Sequence, residues 1–402
     1  MQNSDAIILG GGLAGLTLAL ALDRHGLAVT VVDPIDLETT IAPQFDGRVS
    51  AIASASMQLF DVIGVGEALR RDACPIESIR VSDGLKPLHL QFNAEEAGTG
   101  PLGFMVENRH LRIALLDGAR ASNIQLLAPA RMHSVERLDH QAVVRLEDGE
   151  TLEAPLLIAA DGRRSPMRAA AGIRTAHWQY WHDAIVTVID HARPHDNYAF
   201  ELFYADGPFA LLPMRPGTRS AVVWAVPTAD TAAILDLPER ALIAEINKRM
   251  GDFLGEIRLA AGVWTYPLGF HNAERITDHR LALIGDAAHG IHPIAGQGLN
   301  LGLRDVAALC EVLVEGARMG MDLGDPVLLD RYQRWRGFDT MLVAGGMDVL
   351  NRLFGIPGKT ASLVRRLGIA AVHRLPPLKN RFMAEARGES GHVPRLLAGQ
   401  KI

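Results

Sequence analysis

Three glycine–aspartate stretches carry the groups best suited to hold a nucleotide. The first is Gly10-Gly11-Gly12-Leu13-Ala14-Gly15, with the spacing G-x-G-x-x-G. Gly10 permits a tight turn, Gly12 lets the backbone approach a pyrophosphate, and Gly15 lets a helix pack closely on a strand. The free N–H groups of a helix starting at Leu13 and Ala14 favour a phosphate there. Asp33 ends the next apolar run and can accept from ribose hydroxyls. A glycine-rich turn without a ligand is the plain alternative, and the motif alone does not separate NAD from FAD.

The second stretch is Asp161-Gly162-Arg163-Arg164-Ser165-Pro166-Met167-Arg168. Asp161 stands at the C-terminal end of an expected strand, where ligands gather in open α/β sheets. It can equally serve only as a helix cap. The third stretch runs from Gly285-Asp286-Ala287-Ala288-His289 through His292-Pro293-Ile294-Ala295-Gly296-Gln297-Gly298-Leu299-Asn300 to Asp305. Asp286 can accept from a ribityl hydroxyl. Gly296, Gln297 and Gly298 bring N–H groups to a helix start at Leu299 and Asn300. Such a start, aimed at the N1–O2 edge of an isoalloxazine, favours its reduced anion. An NAD dehydrogenase has no need of this third element. Asp286, His289 and His292 also have a spacing open to a metal, but the strand and glycine context explains them without one.

The elements that must position these groups follow from periodicity. An apolar strand is expected over Asp5–Leu9, a helix over Leu13–His25 capped by Gly26, and a second strand over Ala28–Val32. That is one unit of a parallel sheet. Helices are expected over Ser54–Ile63 and Asn108–Ala121. Strands are expected over Gln125–Leu127, Met132–Arg137, Ala142–Leu146 and Leu156–Ala160. From Ala184 to Val226 the short runs and turns read as an antiparallel meander. One helix over Thr231–Met250, a strand over Leu281–Ile284 and mostly helix from Leu299 complete the chain. His191 and His195, in a turn containing Pro194, are expected in solvent. Trp178, Trp181 and Trp224 read as core.

Composition excludes several classes. A chain of 402 residues is too long for one ordinary core, and its 48% apolar and 21% charged residues are those of a soluble globular protein. Cys74 and Cys310 stand far apart, which argues against a disulfide framework or zinc and suits a reducing cytoplasm. A net charge of -6 makes nucleic acid an unexpected partner. That charge is uneven. Residues 351–402 hold ten Lys+Arg and two Asp+Glu, whereas the rest holds 30 and 44. The basic end carries apolar positions Leu363, Val364, Leu367 and Ile369. It is either a solvated helical face or a docking surface for an anionic membrane or a partner.

The order G-x-G-x-x-G, D-G, G-D resembles the para-hydroxybenzoate hydroxylase class of flavoproteins. The stretch His292–Asp305 is similar to the signature of the ubiquinone-biosynthesis hydroxylases. So are Phe45-Asp46-Gly47-Arg48-Val49-Ser50-Ala51, Met105-Val106-Glu107-Asn108-Arg109 and Gly207-Pro208-Phe209-Ala210-Leu211-Leu212-Pro213. The resemblance covers nearly the whole chain. Ile52-Ala53 is a departure where Leu-Ser is expected.

The resemblance implies an α/β fold. A Rossmann-like parallel-sheet FAD domain (1–75, 100–174, 272–345) would hold an inserted antiparallel-sheet substrate domain (76–99, 175–271), followed by a helical basic segment (346–402). It implies FAD as resident cofactor and NAD(P)H as transient reductant. Oxygen would add at the flavin C4a and be transferred to a phenolic, polyprenylated substrate. The implied FAD contacts are Gly10, Gly12, Leu13, Ala14, Gly15, Asp33, Arg48, Arg109, Asp161, Gly285, Asp286, Gly296, Gly298, Leu299 and Asn300. Arg48, Pro293, Gly296 and Gln297 are the implied catalytic set. The sheet carrying Phe203, Pro213 and Trp224 would face the flavin, which makes these three candidates for lining an apolar pocket. No metal is implied. Peripheral contact with the inner face of a membrane, a biosynthetic complex and homo-oligomerisation stay open. So do a different phenolic substrate, a prenyl reductase and a non-catalytic flavoprotein scaffold. A halogenase is disfavoured, since no Trp-x-Trp-x-Ile-Pro segment occurs.

Overall fold

The computed structural model describes residues 4–42, 47–98, 100–290, 297–337 and 376–402. Among these residues the strands form four sheets. The first runs in the order Thr277–Asp278, Leu281–Leu283, Leu156–Ala159, Ala6–Leu9, Val29–Val32, Gln125–Leu127. All neighbours are parallel except the antiparallel edge strand Thr277–Asp278. Ala6–Leu9, Val29–Val32 and Leu156–Ala159 are buried at every position. Helices cover both faces of such a sheet, so its strands read as unbroken apolar runs without alternation. The helix Leu13–Asp23 is buried from Gly15 to Leu22 because the helices Asn108–Arg120 and Gln297–Arg318 both pack against it.

A nine-stranded sheet forms the second layer. Its order is His289–Gly290, Trp264–Ala273, Thr175–His191, Arg219–Pro227, Gly207–Met214, Tyr198–Tyr204, Ser78–Ser82, His89–Asn93, with Ile257–Leu259 paired to Thr175–His191. One face is covered by the helix Glu239–Met250, whose Leu242, Ile246 and Met250 pack on Ile185, Phe209, Leu211, Val222 and Trp224. Each such buried side chain contributes about 1.5–3 kcal/mol, enough for three anchors to fix the helix. The other face meets a small antiparallel sheet of Val49–Ala53, Gly103–Glu107 and Cys74–Ile76. There Val49 packs with Met105, Ala199, Leu212 and Met214. A separate antiparallel sheet, Met132–Arg137, Ala142–Leu146 and Thr151–Ala154, completes the four.

Several expectations need correction. The segment read as one helix is two, Thr228–Leu235 and Glu239–Met250. Pro238 separates them, since it has no N–H and the residue before a proline avoids helical backbone. The meander begins at Thr175, earlier than its turns suggest. His191 and His195 are buried rather than solvated. His191 bonds the Arg193 carbonyl and Ser220 Oγ, and His195 bonds the Met214 carbonyl. These protein partners replace the water that the polar turn suggested. Trp178 and Trp181 are not core: Trp178 is 37% exposed, and Trp181 is 75% exposed, at a positive φ of 55° where the long strand is irregular. Much of the basic end, with Leu363, Val364, Leu367 and Ile369, lies outside the described residues. Among the described ones, no helix is long and apolar enough to cross a membrane.

Candidate cofactor and active site

The three glycine–aspartate turns meet. Gly10 has φ +110°, and a Cβ there would lie 2.3 Å from the Ala160 carbonyl oxygen, just before Asp161. A Cβ on Gly15 would lie 1.9 Å from the Gly10 oxygen. A Cβ on Gly285 would lie 3.2 Å from the Ala14 methyl, and one on Gly302 would lie 3.2 Å from the Gly285 Cα. Arg168 donates to the Ala287 carbonyl at 2.7 Å and to the Arg163 carbonyl at 2.8 Å, tying the second turn to the third. The close approaches explain why glycine stands at 10, 15 and 302.

The cradle so formed suits a dinucleotide. Nothing lies within 4 Å of where a Cβ on Gly12 or Gly298 would stand. No side chain caps the helix that starts at Leu13, and no acid occupies its first turn. Its N–H groups are therefore left for an anion. The Asp33 carboxylate accepts from the Gly11 N–H at 2.7 Å and the Ile35 N–H at 2.8 Å. These bonds orient it and leave each oxygen a further lone pair. Asp161 Oδ2 accepts from the Met167 N–H at 3.1 Å, whereas its buried Oδ1 has no partner. Burial pushes the Asp161 carboxyl up, against the hydrogen bonds from Ser165 and Met167. Ser165 is itself the side-chain cap of the short helix Pro166–Ala170. An orphaned acceptor, open glycines and an uncapped helix start fit FAD.

The third turn is held from beneath. Asp305 is fully buried and accepts from His289 Nε2 at 2.6 Å, Arg336 Nε at 2.7 Å and the Gly285 N–H at 3.0 Å. Burial alone would raise its carboxyl, but His289 and Arg336 outweigh burial and hold it below the usual range. Tyr332 donates to the Leu283 carbonyl at 2.9 Å. His271 bonds the Asp286 carbonyl at 2.8 Å, which fixes that peptide while the Asp286 side chain stays exposed. Neither Arg336 nor His271 stands out by sequence spacing. Tyr332 and Arg336 are four apart on one helical stretch, the one local sign that they share a face.

The remaining expected site residues divide. Asn300 is committed to structure: it accepts from the Ala53 N–H and Ser56 Oγ, both at 2.9 Å, and donates to the Ala51 carbonyl at 2.7 Å. Leu299 packs against the core of the parallel sheet. Arg109 donates to the Ile41 carbonyl at 2.7 Å, on the segment whose Leu37 closes over Gly11. Arg48 lies over the Tyr266 ring at 5.6 Å, at the border of the small and large sheets. Phe45, Asp46, Pro293 and Gly296, with the Gln297 side chain, lie outside the described residues.

Of the three pocket candidates, Trp224 and Pro213 need correction, whereas Phe203 lies on the face shared with Leu212 and Met214. Trp224 is paired with Phe209 and Ile185 and packs toward the helix Glu239–Met250, with the Arg249 guanidinium over its ring at 4.1 Å. Pro213 is two and four residues from Leu211 and Phe209 on one strand and so shares that face. Both point away from Arg48. Phe203 is on the opposite face, packed with Val81, Leu90, Phe92 and Met383. The residues that face the small sheet are instead Leu212, Met214 and Ala221, with Val223 and Tyr266 beside them. Both faces are covered, so apolar alternation in the sequence could not tell them apart.

Comparison with known proteins agrees with this geometry. A family model described as FAD binding domain matches residues 3–338. The chain is 46% identical over 400 residues to ubiquinone hydroxylase UbiL of Rhodospirillum rubrum, covering 98% of this chain and 93% of that protein. It is 35% identical over 391 residues to the 3-demethoxyubiquinol 3-hydroxylase of Escherichia coli, covering 96% and 99%. The solved p-nitrophenol 4-monooxygenase of Pseudomonas putida shares the fold with a TM-score of 0.80 at 17% identity, covering 98% of this chain and 100% of that one. The chain belongs to the FAD-binding monooxygenase family, alongside the ubiquinone hydroxylases.

Proposed function

We propose that this monooxygenase hydroxylates the aromatic ring of a polyprenyl phenol intermediate of ubiquinone biosynthesis, using NAD(P)H and molecular oxygen. The carrying observation is the apolar sheet face of Leu212, Met214 and Ala221, set against Val49 with Arg48 at its border. The names of the relatives at 46% and 35% identity support the substrate class. When bound, FAD supplies the redox chemistry, taking a hydride and activating oxygen.

The chain's own work is binding, orientation and exclusion of water. Helix starts at Leu13 and Gln297 favour the negative phosphate and isoalloxazine edges. Asp33 and Asp286 would accept from ribose and ribityl hydroxyls, and Arg109 would lie beside the phosphate-proximal turn. The apolar face keeps water from the ring. Arg48, Pro293, Gly296 and Gln297 stay our catalytic set. We assign 76–99 and 175–271 to the substrate side, a division supported by the pairing of Ser78–Ser82 with Tyr198–Tyr204. Residues 1–75, 100–174 and 272–345 then form the cofactor side, with 346–402 a separate basic segment.

Purified holoenzyme should oxidise NADPH at least about tenfold faster when a polyprenyl phenol is added, with one oxygen atom gained per product ring. Unchanged oxidation and no product would leave only a flavoprotein scaffold. We also assign the basic end to an anionic membrane surface, where such a substrate resides. Each basic residue there contributes about 1 kcal/mol, less at high salt. Sedimentation with anionic liposomes should show binding that salt reverses, and salt-independent or absent binding would reject the assignment.

A further inference from the structure

We propose that Glu201 accepts the proton of the substrate's ring hydroxyl, an inference that rests on the ring-hydroxylation reading above. Glu201 sits in the strand Tyr198–Tyr204, opposite Ala210 on one neighbour and Val81 on the other. Successive side chains of a strand point to opposite faces. Phe200, Leu202 and Tyr204 pack toward the helix Glu239–Met250. Ala199 and Phe203 pack on the other side, with Ile76, Met105 and Val49 around the first and Leu90, Phe92 and Met383 around the second. Glu201 lies between Ala199 and Phe203 and so shares their face. That is also the face of Leu212 and Met214, which we assign to the substrate.

An acid interrupts an otherwise apolar row there. No described group hydrogen-bonds or ion-pairs with its carboxyl. The side chain nevertheless keeps part of its surface accessible. A carboxyl that is desolvated, unpartnered and still reachable is ready for a hydroxyl delivered by a ligand. Burial alone pushes its carboxyl up to about 7. A proton acceptor works best when its pKa lies near the operating pH.

The step is a simple proton transfer. The phenol O–H bond breaks and a carboxyl O–H bond forms on Glu201. The electron pair left on the phenolic oxygen conjugates into the ring, which raises nucleophilicity at the ortho and para carbons. No electron is gained or lost in this step.

Neighbouring charged groups are engaged elsewhere. Arg80 lies over Tyr198 and Phe200 on the opposite face. Lys379 pairs with Glu96, and Arg387 pairs with Glu389. Glu107, ending its strand, acts on Arg219. The Cys74 thiol, beside Ala199, is pushed up to about 11 by burial and stays neutral. None of them shifts the Glu201 carboxyl.

The test uses full-length holoenzyme and a short-chain 2-prenylphenol as probe. For the unsubstituted enzyme, kcat should rise with pH through about 7 and then level off. E201Q keeps the shape of the side chain but accepts no proton. Its kcat at the plateau should fall about 10²-fold and its acid limb should vanish, with bound FAD at the usual content. E201D should restore the limb in part. An E201Q enzyme with full turnover and an unchanged limb overturns this inference alone and leaves ring hydroxylation standing. Loss of FAD from both variants means a structural role and overturns it too. An unsubstituted enzyme that hydroxylates no phenol overturns both readings.

Discussion

A Gly15→Ala variant should purify without flavin colour and fail to take up added FAD. A single methyl at residue 15 would stand 1.9 Å from the Gly10 carbonyl oxygen and 3.3 Å from the Ala160 methyl. Both contacts are close, and the first is to backbone, so no side chain can swing aside. The helix Leu13–Asp23 must lift from the sheet. Its first-turn N–H groups then move off the phosphate position, and the loss of binding is expected to be about 10²-fold or more, since preorganised anion contacts depend on sub-ångström placement. Gly64→Ala is the control. Gly64 has φ +89° and open space around it, so that substitution strains the backbone by about 1–2 kcal/mol without touching the cradle. Flavin absorbance of the two purified proteins decides. A yellow Gly15→Ala protein beside a yellow control would show that the glycine turn does not hold the dinucleotide.

Asp305→Ala should lose about 3–5 kcal/mol of stability in urea unfolding, a large part of the roughly 5–15 kcal/mol that a domain has. The substitution removes the buried carboxylate to which the fully buried Arg336 guanidinium donates and removes the acceptor for the Gly285 N–H. Asp305→Asn keeps the shape and so isolates the charge. Because the folded carboxyl is held below its usual value of 3.8, its contribution is fully present above about pH 4. That contribution disappears as pH falls through the lower folded value. The stability gap between the unsubstituted protein and the Asp305→Asn variant should therefore be steady at neutral pH and narrow only in strong acid. A gap below about 1 kcal/mol at pH 7 would mean that the cluster is replaceable packing.

What the sequence disclosed follows from how local each signal is. The strands Gln125–Leu127, Met132–Arg137 and Ala142–Leu146 have the bounds expected of them, since each is a short run ended by a turn or a charge. The parallel strands were legible as unbroken apolar runs, and Gly10, Gly12 and Gly15 as a spaced turn. Trp224 and Pro213 were misread because both faces of their sheet are covered. Burial then leaves no polar residues to mark the outer side. The small sheet around Val49 and Met105 carries no local signal, because its partners lie from 27 (Ile76 and Gly103) to 58 (Val49 and Glu107) residues apart. Asp305 and Arg336 are separated by 31 residues and meet only through packing. Glu201 was hidden inside an apolar strand, where a single acid carries no periodic signature. Its meaning comes from which way the strand turns it.

The cofactor cradle also has a bearing on synthesis. Its turns come from residues near 10, near 161 and near 286, and the last is braced by Arg336. A nascent polypeptide leaving the ribosome has the first two turns long before the third. Until residues 281–286 have been made, the glycine loop near residue 10 has no roof, and the apolar edge of the strand Leu156–Ala159 lacks its neighbour Leu281–Leu283. Prosthetic-group capture is therefore a late event. Chaperones that shield that edge, and cellular flavin supply at the moment of release, would set the yield of active protein.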